Sequence, residues 1–328
     1  MNDHPAVSYP RSWYPLMVGC KIKIGQVKAL RAFGKDWVLF RGMDGVPGLV
    51  YRYCCHMGAD LTKGRVVGNN IECGLHGWCF DNSGFCRNIP ALKAHDKGQL
   101  QQPKQISLPC REVFGVVFVY YGDRPEYDLP VPDGMSAVMF GDCHQMEFNT
   151  EHHVPCLNTF DVQHYRKIHQ REFLNEPVVK SEGPFHLGIQ MNTRVLPVSM
   201  IDRIMWRLTK GEARVVVDCW GGSLLAMSNH KTGYGSIVAM LPIETMKSRL
   251  FIIPVKNAHG DRHVTAGLGS RVALLLAAML IKGFLRPDTI LLAGMKPVRG
   301  NLLKGVDDIA DRYWSFYQGL PVLDSIHE

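Results

Sequence analysis

The sequence predicts an α+β protein with two domains, in which an all-β domain precedes a domain that combines an antiparallel sheet with helices. Three observations support this prediction. Residues 1–125 consist of short β-like runs that glycine and proline separate. A linker with three prolines and two glycines follows at residues 122–134. Beyond it, strand-like and helix-like stretches alternate, so we place the second domain at residues 126–328.

The strand predictions depend on runs of β-branched and aromatic residues. A different stretch, residues 272–281, is apolar throughout and predicts a buried helix. It is shorter than the roughly 20 apolar residues that cross a bilayer, so we expect no stable membrane insertion. The β-like runs occupy residues 37–40, 48–51 and 113–120 in the first domain, and residues 213–217 and 249–255 in the second.

Two cysteine–histidine pairs in the first domain have an informative spacing. Cys54 and His56 form the first pair, Cys73 and His76 form the second, and together they read C-x-H-x16-C-x2-H. A Rieske [2Fe–2S] centre needs two thiolates on one iron and two imidazoles on the other. The spacing therefore predicts that these four residues hold a Rieske cluster.

A zinc ribbon is the alternative structure for the same four residues. Zinc sites favour C-x2-C and H-x3-H pairs, and a C-x-H pair is unusual among them. The glycines that surround the pairs, among them Gly58 and Gly77, allow tight turns that bring backbone N–H groups close to the sulfurs. Both features favour the cluster over zinc.

A second motif reads N-x2-D-x2-H-x4-H and consists of Asn158, Asp161, His164 and His169. Two imidazoles and one carboxylate form the facial triad that binds non-haem Fe(II) and leaves positions open for oxygen and substrate. On an ideal helix, residues five apart point about 140° away from each other. We therefore predict that the helix bulges, kinks or ends between the two histidines.

The carboxylate of such a triad has to come from far along the chain. The residues alone leave several aspartates open, and Asp288 could instead cap a helix after Pro287. The adjacent pair His152 and His153 is a further candidate metal site, but we interpret both histidines as structural. The candidate carboxylates are Asp261, Asp288, Asp307, Asp308 and Asp311.

The chain resembles a known family, the Rieske non-haem iron oxygenases, through their oxygenase (α) subunits. The resemblance covers nearly the whole chain, and the iron motif matches at every defining position. Electron-transfer Rieske proteins of respiratory complexes differ, because a disulfide clamps their two cluster loops. Ala59 and Leu75 occupy those positions here, so that disulfide cannot form. Further matching segments are Trp13-Tyr14-Pro15, Leu39-Phe40-Arg41, Leu61-x-x-Gly64-x-Val66 and Gly84-x-Cys86-x-x-Ile89-Pro90.

The resemblance implies how the second domain is built and which residues act there. It implies a helix-grip fold that encloses a substrate cavity. The family's distal aspartate corresponds to Asp288, with Asp308 as the alternative ligand. Asn158 is expected near the iron without binding it. Asp161 is expected to hydrogen-bond His164 in its own chain and His76 of the next subunit, which implies a homotrimer.

The implied activity is an oxygenase reaction with O2 and two externally supplied electrons. The chain is compact, like the homo-oligomeric monooxygenase and O-demethylase branch, so we expect hydroxylation or oxidative demethylation of a small to medium organic molecule. The alternatives are cis-dihydroxylation of an aromatic ring and, in a different class, a Rieske electron-transfer protein. Apolar residues expected at the substrate cavity or in the core are Met191, Met205, Trp206, Met227, Met240 and Phe251.

Charge and composition indicate the partners and the compartment. Residues 1–125 contain 16 Lys and Arg against 9 Asp and Glu, whereas the remaining residues contain 21 of each, so the first domain carries the whole net charge of +7. A basic domain suits an acidic ferredoxin or a flavin-containing reductase as electron donor. The absence of a clustered Lys/Arg run argues against nucleic acid. Ten cysteines without a secretion signal predict a reducing, cytoplasmic location.

Overall fold

The structure is a computed structural model that describes residues 8–92, 103–133, 135, 138–257 and 268–323. The chain divides into two compact units, Met1–Glu126 with Val322–Glu328 and Tyr127–Pro321. Near its end the chain returns to the first unit, where Val322 pairs with Pro10 in an isolated bridge. The sequence did not predict this return. The assignment of residues 1–125 to a Rieske domain and of residues 126–328 to a catalytic domain stays a prediction.

The first unit contains three antiparallel sheets with the strand orders β1-β11-β10, β2-β3-β4-β9 and β5-β6-β7-β8. One hydrophobic core includes Phe40, Phe80, Cys54 and Cys73, so the cysteines of both predicted cluster loops are anchored in the core. The strands are β1 (Trp13–Val18), β2 (Val27–Ala32), β3 (Lys35–Arg41), β4 (Pro47–Tyr51), β5 (Arg65–Val67), β6 (Asn70–Glu72), β7 (Cys79–Phe80), β8 (Cys86–Asn88), β9 (Ser107–Leu108), β10 (Cys110–Val113) and β11 (Val116–Tyr120).

The predicted runs at residues 37–40 and 48–51 lie within β3 and β4 and are confirmed. The single run predicted at residues 113–120 is wrong, because a turn divides it between β10 and β11. Phe114 and Gly115 both have positive φ angles, 53° and 69°. Two such residues form the tight turn whose twist matches that of a hairpin, which a pattern of apolar residues does not reveal.

Among its described residues, the second unit contains a nine-stranded antiparallel sheet and five helices. The strand order is β12-β20-β19-β18-β17-β16-β14, and β13 and β15 pair with β20 and β16. The runs predicted at residues 213–217 and 249–255 lie within β17 and β20. The elements are β12 (Val138–Phe140), β13 (His144–Phe148), α1 (Val154–Thr159), α2 (Val162–Lys167), β14 (Arg171–Phe173), β15 (Val178–Lys180), β16 (His186–Val195), α3 (Met200–Thr209), β17 (Glu212–Trp220), β18 (Leu224–Asn229), β19 (Tyr234–Glu244), β20 (Lys247–Asn257), α4 (Leu268–Leu291) and α5 (Asp308–Gln318).

The sheet buries one face against the helices. Alternate residues of β16, namely Leu187, Ile189 and Met191, belong to the core of this unit, as expected for side chains that point to one face of a strand. Leu157 of α1 and Trp314 of α5 complete that core. This antiparallel sheet with packed helices confirms the predicted α+β class.

Helix α4 differs from the prediction of a buried helix. Within residues 272–281, Leu274 and Ala278 are buried, whereas Leu275 and Met279 are 56% and 62% exposed. The prediction of burial is therefore wrong for most of the run, since only one stripe of the helix faces the sheet. In the described part of the chain, no helix is long and apolar enough to cross a membrane.

Candidate functional site

The two cysteine–histidine loops of the first unit share one backbone conformation. In each loop the cysteine N–H donates to the carbonyl five residues later, and the N–H four residues later donates back to the cysteine carbonyl, at 2.8–3.0 Å. These returning donors are Gly58 and Gly77, which have φ angles of 72° and 68°. Glycine adopts this left-handed conformation without strain. Cys54 and Cys73 therefore occupy equivalent places in two matched turns.

The cysteines and histidines of the two loops differ in their exposure to solvent. Cys54 and Cys73 are 3% and 2% exposed, whereas His56 and His76 are exposed at the loop tips. The two imidazole centroids lie 4.7 Å apart, and the His56 ring stacks on Trp78 at 4.1 Å. Two buried sulfurs and two exposed nitrogens match the division of a Rieske cluster between its two irons.

A tetrahedral zinc site would bring its four donor atoms close together. Donor atoms bound to one zinc lie about 3.8 Å apart at most, given bonds of about 2.0–2.3 Å in a tetrahedron. Within the described residues, the group of three or more donors that lie within 4.8 Å of one another is His164, His169 and Asp288. The four loop residues do not form such a group within the described part of the chain.

The thiols of the first loop influence each other. A hydrogen bond with Cys55, together with burial, raises the pKa of Cys54. The same hydrogen bond lowers the pKa of Cys55. Iron ligation needs the thiolate, and a bound metal ion supplies the positive charge that stabilises it.

Sequence analysis missed Gln105, which supports the first loop. Its side chain is 1% exposed and accepts a hydrogen bond from the Cys55 N–H at 2.7 Å. Its amide nitrogen donates to the carbonyls of Tyr51 and Tyr53, both at 2.8 Å. Because these partners lie about fifty residues away, no local signal in the sequence points to this role. Gln105 fixes the peptide next to Cys54 and so positions a predicted cluster ligand.

The second motif lies on two short helices of the second unit. Asp161 is the N-cap of α2, because its Oδ1 accepts a hydrogen bond from the His164 N–H at 3.1 Å. Helix α2 ends at Lys167, and His169 follows outside it. The predicted interruption between the two histidines is therefore an end of the helix. This end lets two imidazoles five residues apart face the same point.

That point is the carboxylate of Asp288, near the end of α4. Nε2 of His164 lies 2.8 Å from Oδ1 of Asp288, and Nε2 of His169 lies 3.2 Å from Oδ2. Ligands bound about 2.1 Å from one ion at right angles are about 3 Å apart. Asp288 does not cap a helix after Pro287, because α4 continues through both residues. The three donors fit a facial triad.

Burial and hydrogen bonding set the charge states of these donors. Burial alone would raise the pKa of Asp288, but hydrogen bonds with His164 and His169 outweigh it and lower that pKa. Burial lowers the pKa of His169, and the nearby Asp288 carboxylate only partly opposes this effect. An ionised carboxylate and a neutral imidazole are the forms that bind a metal ion.

The structure gives Asn158 and Asp161 different surroundings. Asn158 Nδ2 lies 3.3 Å from Nε2 of His164, beside the three donors. Asp161 contacts the His164 backbone rather than its imidazole, and the buried Nδ1 of His164 has no hydrogen-bond partner among the described residues. Oδ2 of Asp161 also accepts no hydrogen bond within the described part of the chain.

Two residues that the motifs did not include hold His169 in place. The His169 ring stacks on Phe284 of α4 at 3.9 Å. Arg171 donates to the His169 carbonyl at 2.8 Å, lies over the Phe284 ring and forms an ion pair with Asp202 of α3 at 2.9 Å. Arg171 follows His169 by two residues, but its contacts depend on α3 and α4, so the sequence alone does not reveal them.

The other candidate carboxylates have local partners. Asp307 accepts hydrogen bonds from Gln163 Nε2 and the Leu303 N–H, and Asp308 accepts one from the Gly305 N–H. Asp311 forms an ion pair with Arg299. These three aspartates do not join the His164 group. Asp261 lies outside the described residues.

His152 and His153 are buried among the aromatic residues of α5. The His153 ring stacks on Tyr317 at 4.1 Å, and burial lowers the pKa of His153 to about 4. Neither histidine belongs to the metal-binding group found among the described residues. Their surroundings are those of structural histidines.

Replacing His153 with phenylalanine should make the stability of the protein less dependent on pH in acid. Its folded-state pKa of about 4 lies below the ordinary value of 6.5, so the unfolded state takes up the proton first as pH falls. Between pH 6.5 and 4 this uptake costs up to about 1.4 kcal/mol per pH unit. Urea unfolding across this range should show a shallower loss of stability in the variant, and parallel curves would contradict the assignment.

Two cavities adjoin the three-donor group. The smaller, of about 50 Å³, is lined by all three donors and by Asn158. The larger, of about 380 Å³, lies between the sheet and helices α3 and α4. Of the residues expected at a substrate cavity, Met191, Met205 and Met227 line the larger one, Trp206 is 46% exposed, and Met240 and Phe251 are in the core.

Comparisons with known proteins identify the first domain and the fold of the chain. Residues 12–109 match the model of the Rieske [2Fe–2S] domain. Cholesterol 7-desaturase from Ciona intestinalis is 32% identical over 174 residues, which are 51% of this chain and 36% of that protein. Aminopyrrolnitrin oxygenase from Pseudomonas fluorescens is 26% identical, with 94% of this chain and 90% of that protein covered. The chain thus spans about a third of the first relative and nearly all of the second.

A solved structure shows the same fold. Dicamba monooxygenase bound to dicamba aligns over 96% of this chain and 98% of its own, with a TM-score of 0.61 and 15% identity. The first part of the chain is therefore a Rieske [2Fe–2S] domain, followed by the fold found in oxygenase components. Residues 12–109 therefore belong to the Rieske [2Fe–2S] domain family, and the cofactors that the two sites indicate are a [2Fe–2S] cluster and a mononuclear iron.

Proposed function

We propose that the protein is an oxygenase that uses O2 and two externally supplied electrons to hydroxylate or oxidatively demethylate a small to medium organic molecule. The observation that carries this proposal is the convergence of His164, His169 and Asp288 at the wall of a cavity. A pure electron carrier has no use for a second iron site. Similarity to an aminopyrrolnitrin oxygenase and to a dicamba monooxygenase also supports it.

In this proposal the two sets of donors have separate tasks. His164, His169 and Asp288 bind Fe(II), while Cys54, His56, Cys73 and His76 bind the cluster. The iron, when bound, supplies the site where O2 is activated, and the cluster supplies single electrons. The chain keeps Asp288 ionised and His169 neutral, and Phe284 packs against His169 to fix its orientation. Asn158 lies close enough to His164 to orient its ring.

Electrons pass between subunits in this proposal. Oδ2 of Asp161 has no hydrogen bond within the described residues, so it can accept one from the exposed His76 of a second subunit. A carboxylate that joins two ligand-bearing segments orients both of them. Each chain then gives and receives one such contact, which a closed symmetric assembly satisfies, and from the family resemblance we propose a homotrimer.

A ferredoxin or a flavin-containing reductase is the proposed electron donor. The net charge of +7 in residues 1–125 favours an acidic partner. Met57 and Leu75, beside the cluster histidines, are 70% and 63% exposed and suit a partner's apolar surface. All ten cysteines are free thiols, which supports a reducing, cytoplasmic location.

Iron and acid-labile sulfide per chain, measured after anaerobic reconstitution, test the proposal. About three irons to two sulfides are expected for a Rieske cluster plus a mononuclear site. About two irons to two sulfides, even after loading with Fe(II), would refute the oxygenase and favour an electron carrier.

A further inference from the structure

The cavity of about 380 Å³ is large enough for a substrate and is close to the three-donor group. Ligand pockets typically measure roughly 300–1,000 Å³. The wall is formed by the sheet on one side and by α3 and α4 on the other. It has four wall residues in common with the smaller cavity that His164, His169 and Asp288 line, so the larger cavity adjoins the smaller one. The shared residues are Tyr165, Met227, Phe284 and Leu285.

The wall provides no free counter-charge for an ionised substrate. Among the described residues that line the cavity, Arg171 is the one with a charged side chain. Its guanidinium already forms an ion pair with Asp202 and a hydrogen bond with the His169 carbonyl. Burial of an unpaired carboxylate, sulfonate or ammonium is strongly unfavourable. The cavity therefore favours molecules without a net charge.

A few hydroxyl groups interrupt the apolar wall. Thr193, Ser228 and Ser236 line the cavity and are 5%, 3% and 3% exposed. The Ser228 Oγ has no hydrogen-bond partner among the described residues. A buried hydroxyl without a partner is costly, and a neutral hydroxyl or carbonyl on a ligand relieves that cost.

The cavity reaches the surface between α3 and α4. Leu208 of α3 and Leu276 of α4 both line it, yet they are 59% and 55% exposed. At these two residues a single side chain therefore separates the cavity from solvent. An apolar molecule can enter there by rotation of leucine side chains, without movement of the sheet.

The position of the cavity, the chemistry of its wall and its exposed leucines support one conclusion. The geometry points to a neutral, largely apolar substrate with at most a few hydroxyl or carbonyl groups. This substrate occupies the cavity between the sheet and helices α3 and α4. This inference rests on the proposed function, because it names the substrate class of the same site. It excludes aromatic acids and other ionised molecules as preferred substrates.

Two fluorescent probes that differ by one anionic group test the charge requirement. N-phenylnaphthylamine is neutral and apolar, and anilinonaphthalenesulfonate has the same rings with a sulfonate. We expect saturable binding of about one neutral probe per chain to the reconstituted full-length protein, and binding of the sulfonate at least about 100-fold weaker, because the cavity leaves it unpaired. Equal or tighter binding of the sulfonate, or no saturable binding of the neutral probe, would overturn the inference.

Two substitutions that fill the cavity from opposite walls locate the bound probe. Ala277→Phe in α4 and Ala213→Phe in β17 should each weaken binding of N-phenylnaphthylamine by about tenfold or more, as side-chain bulk takes its place. Leu275→Phe is the matched control, because Leu275 is on the same helix but is not part of the wall. Near-UV circular dichroism and retention of the third iron report whether the second unit of each variant folds. Unchanged affinity in both folded variants would overturn the inference.

The outcome is separable from that of the proposed function, because probe binding needs neither O2 nor electrons. Three irons per chain without probe binding would refute the substrate class and leave the oxygenase proposal intact. Probe binding with two irons per chain would confirm an apolar binding site and refute the oxygenase.

Discussion

Replacing Asp288 with alanine should lower the iron content from about three to about two atoms per chain, with acid-labile sulfide unchanged at about two. The substitution removes both oxygens that face His164 and His169, at 2.8 Å and 3.2 Å. Two imidazoles alone lack the carboxylate of the facial triad. Alanine is the strongest helix former, so α4 should persist. Metal analysis and the Rieske absorption spectrum together measure the result.

The matched control is Asp308→Ala. Asp308 is the rival ligand from the sequence, but its carboxylate accepts a hydrogen bond from the Gly305 N–H next to α5. This variant should retain about three irons and lose at most about 1–2 kcal/mol of stability, the usual cost of a lost helix-terminal hydrogen bond. If Asp308→Ala loses the third iron while Asp288→Ala keeps it, the assignment of the third ligand is wrong.

The sequence predicts the two motifs well because each is local. Cys54 and Cys73 belong to short turns, and each turn contains a glycine in the left-handed conformation, Gly58 or Gly77. The helix end between His164 and His169 follows from the angle between residues five apart. These parts depend on backbone geometry, which a short stretch of sequence determines.

The third carboxylate could not be chosen by such local reasoning. Asp288 is separated from His164 by more than a hundred residues, and several distal aspartates have the same chemistry. Tertiary structure distinguishes them: Asp288 is 8% exposed and faces two imidazoles, whereas Asp311 pairs with Arg299 at the surface. A resemblance to a family was needed to prefer Asp288.

Residues that support the sites were harder to predict for the same reason. Gln105 acts through partners about fifty residues away, and Phe284 meets His169 only because α4 packs on the sheet. The partial exposure of α4 could not be predicted either, because an apolar run has the same sequence pattern whether it lies in a core or beside a cavity that opens to the surface.

Replacing Asp161 with asparagine should reduce turnover by at least about 100-fold, a loss typical of a misplaced reacting group, while both metal sites stay filled. Asparagine caps a helix as well as aspartate does, so the His164 N–H keeps its partner and α2 keeps its start. In the proposed assembly, what changes is the charge that Asp161 offers to the imidazole of a second subunit. Stopped-flow absorbance should show slow reoxidation of a reduced cluster by O2 in the Fe(II)-loaded variant, as in Asp288→Ala. Fast reoxidation would exclude Asp161 from the electron route.

Mixed oligomers distinguish transfer between subunits from transfer within one chain. Chains with Asp161→Asn keep a cluster, but their own iron cannot receive an electron, and chains with Cys73→Ser lack the cluster but keep Asp161. Neither homo-oligomer should turn over. If the route runs between subunits, a co-expressed mixture regains activity, because the cluster of one chain reduces the iron of the other through an intact Asp161. If the route runs within one subunit, neither kind of chain has both a cluster and Asp161. A mixture that forms oligomers, as judged by gel filtration, but stays inactive would therefore place the route inside one subunit.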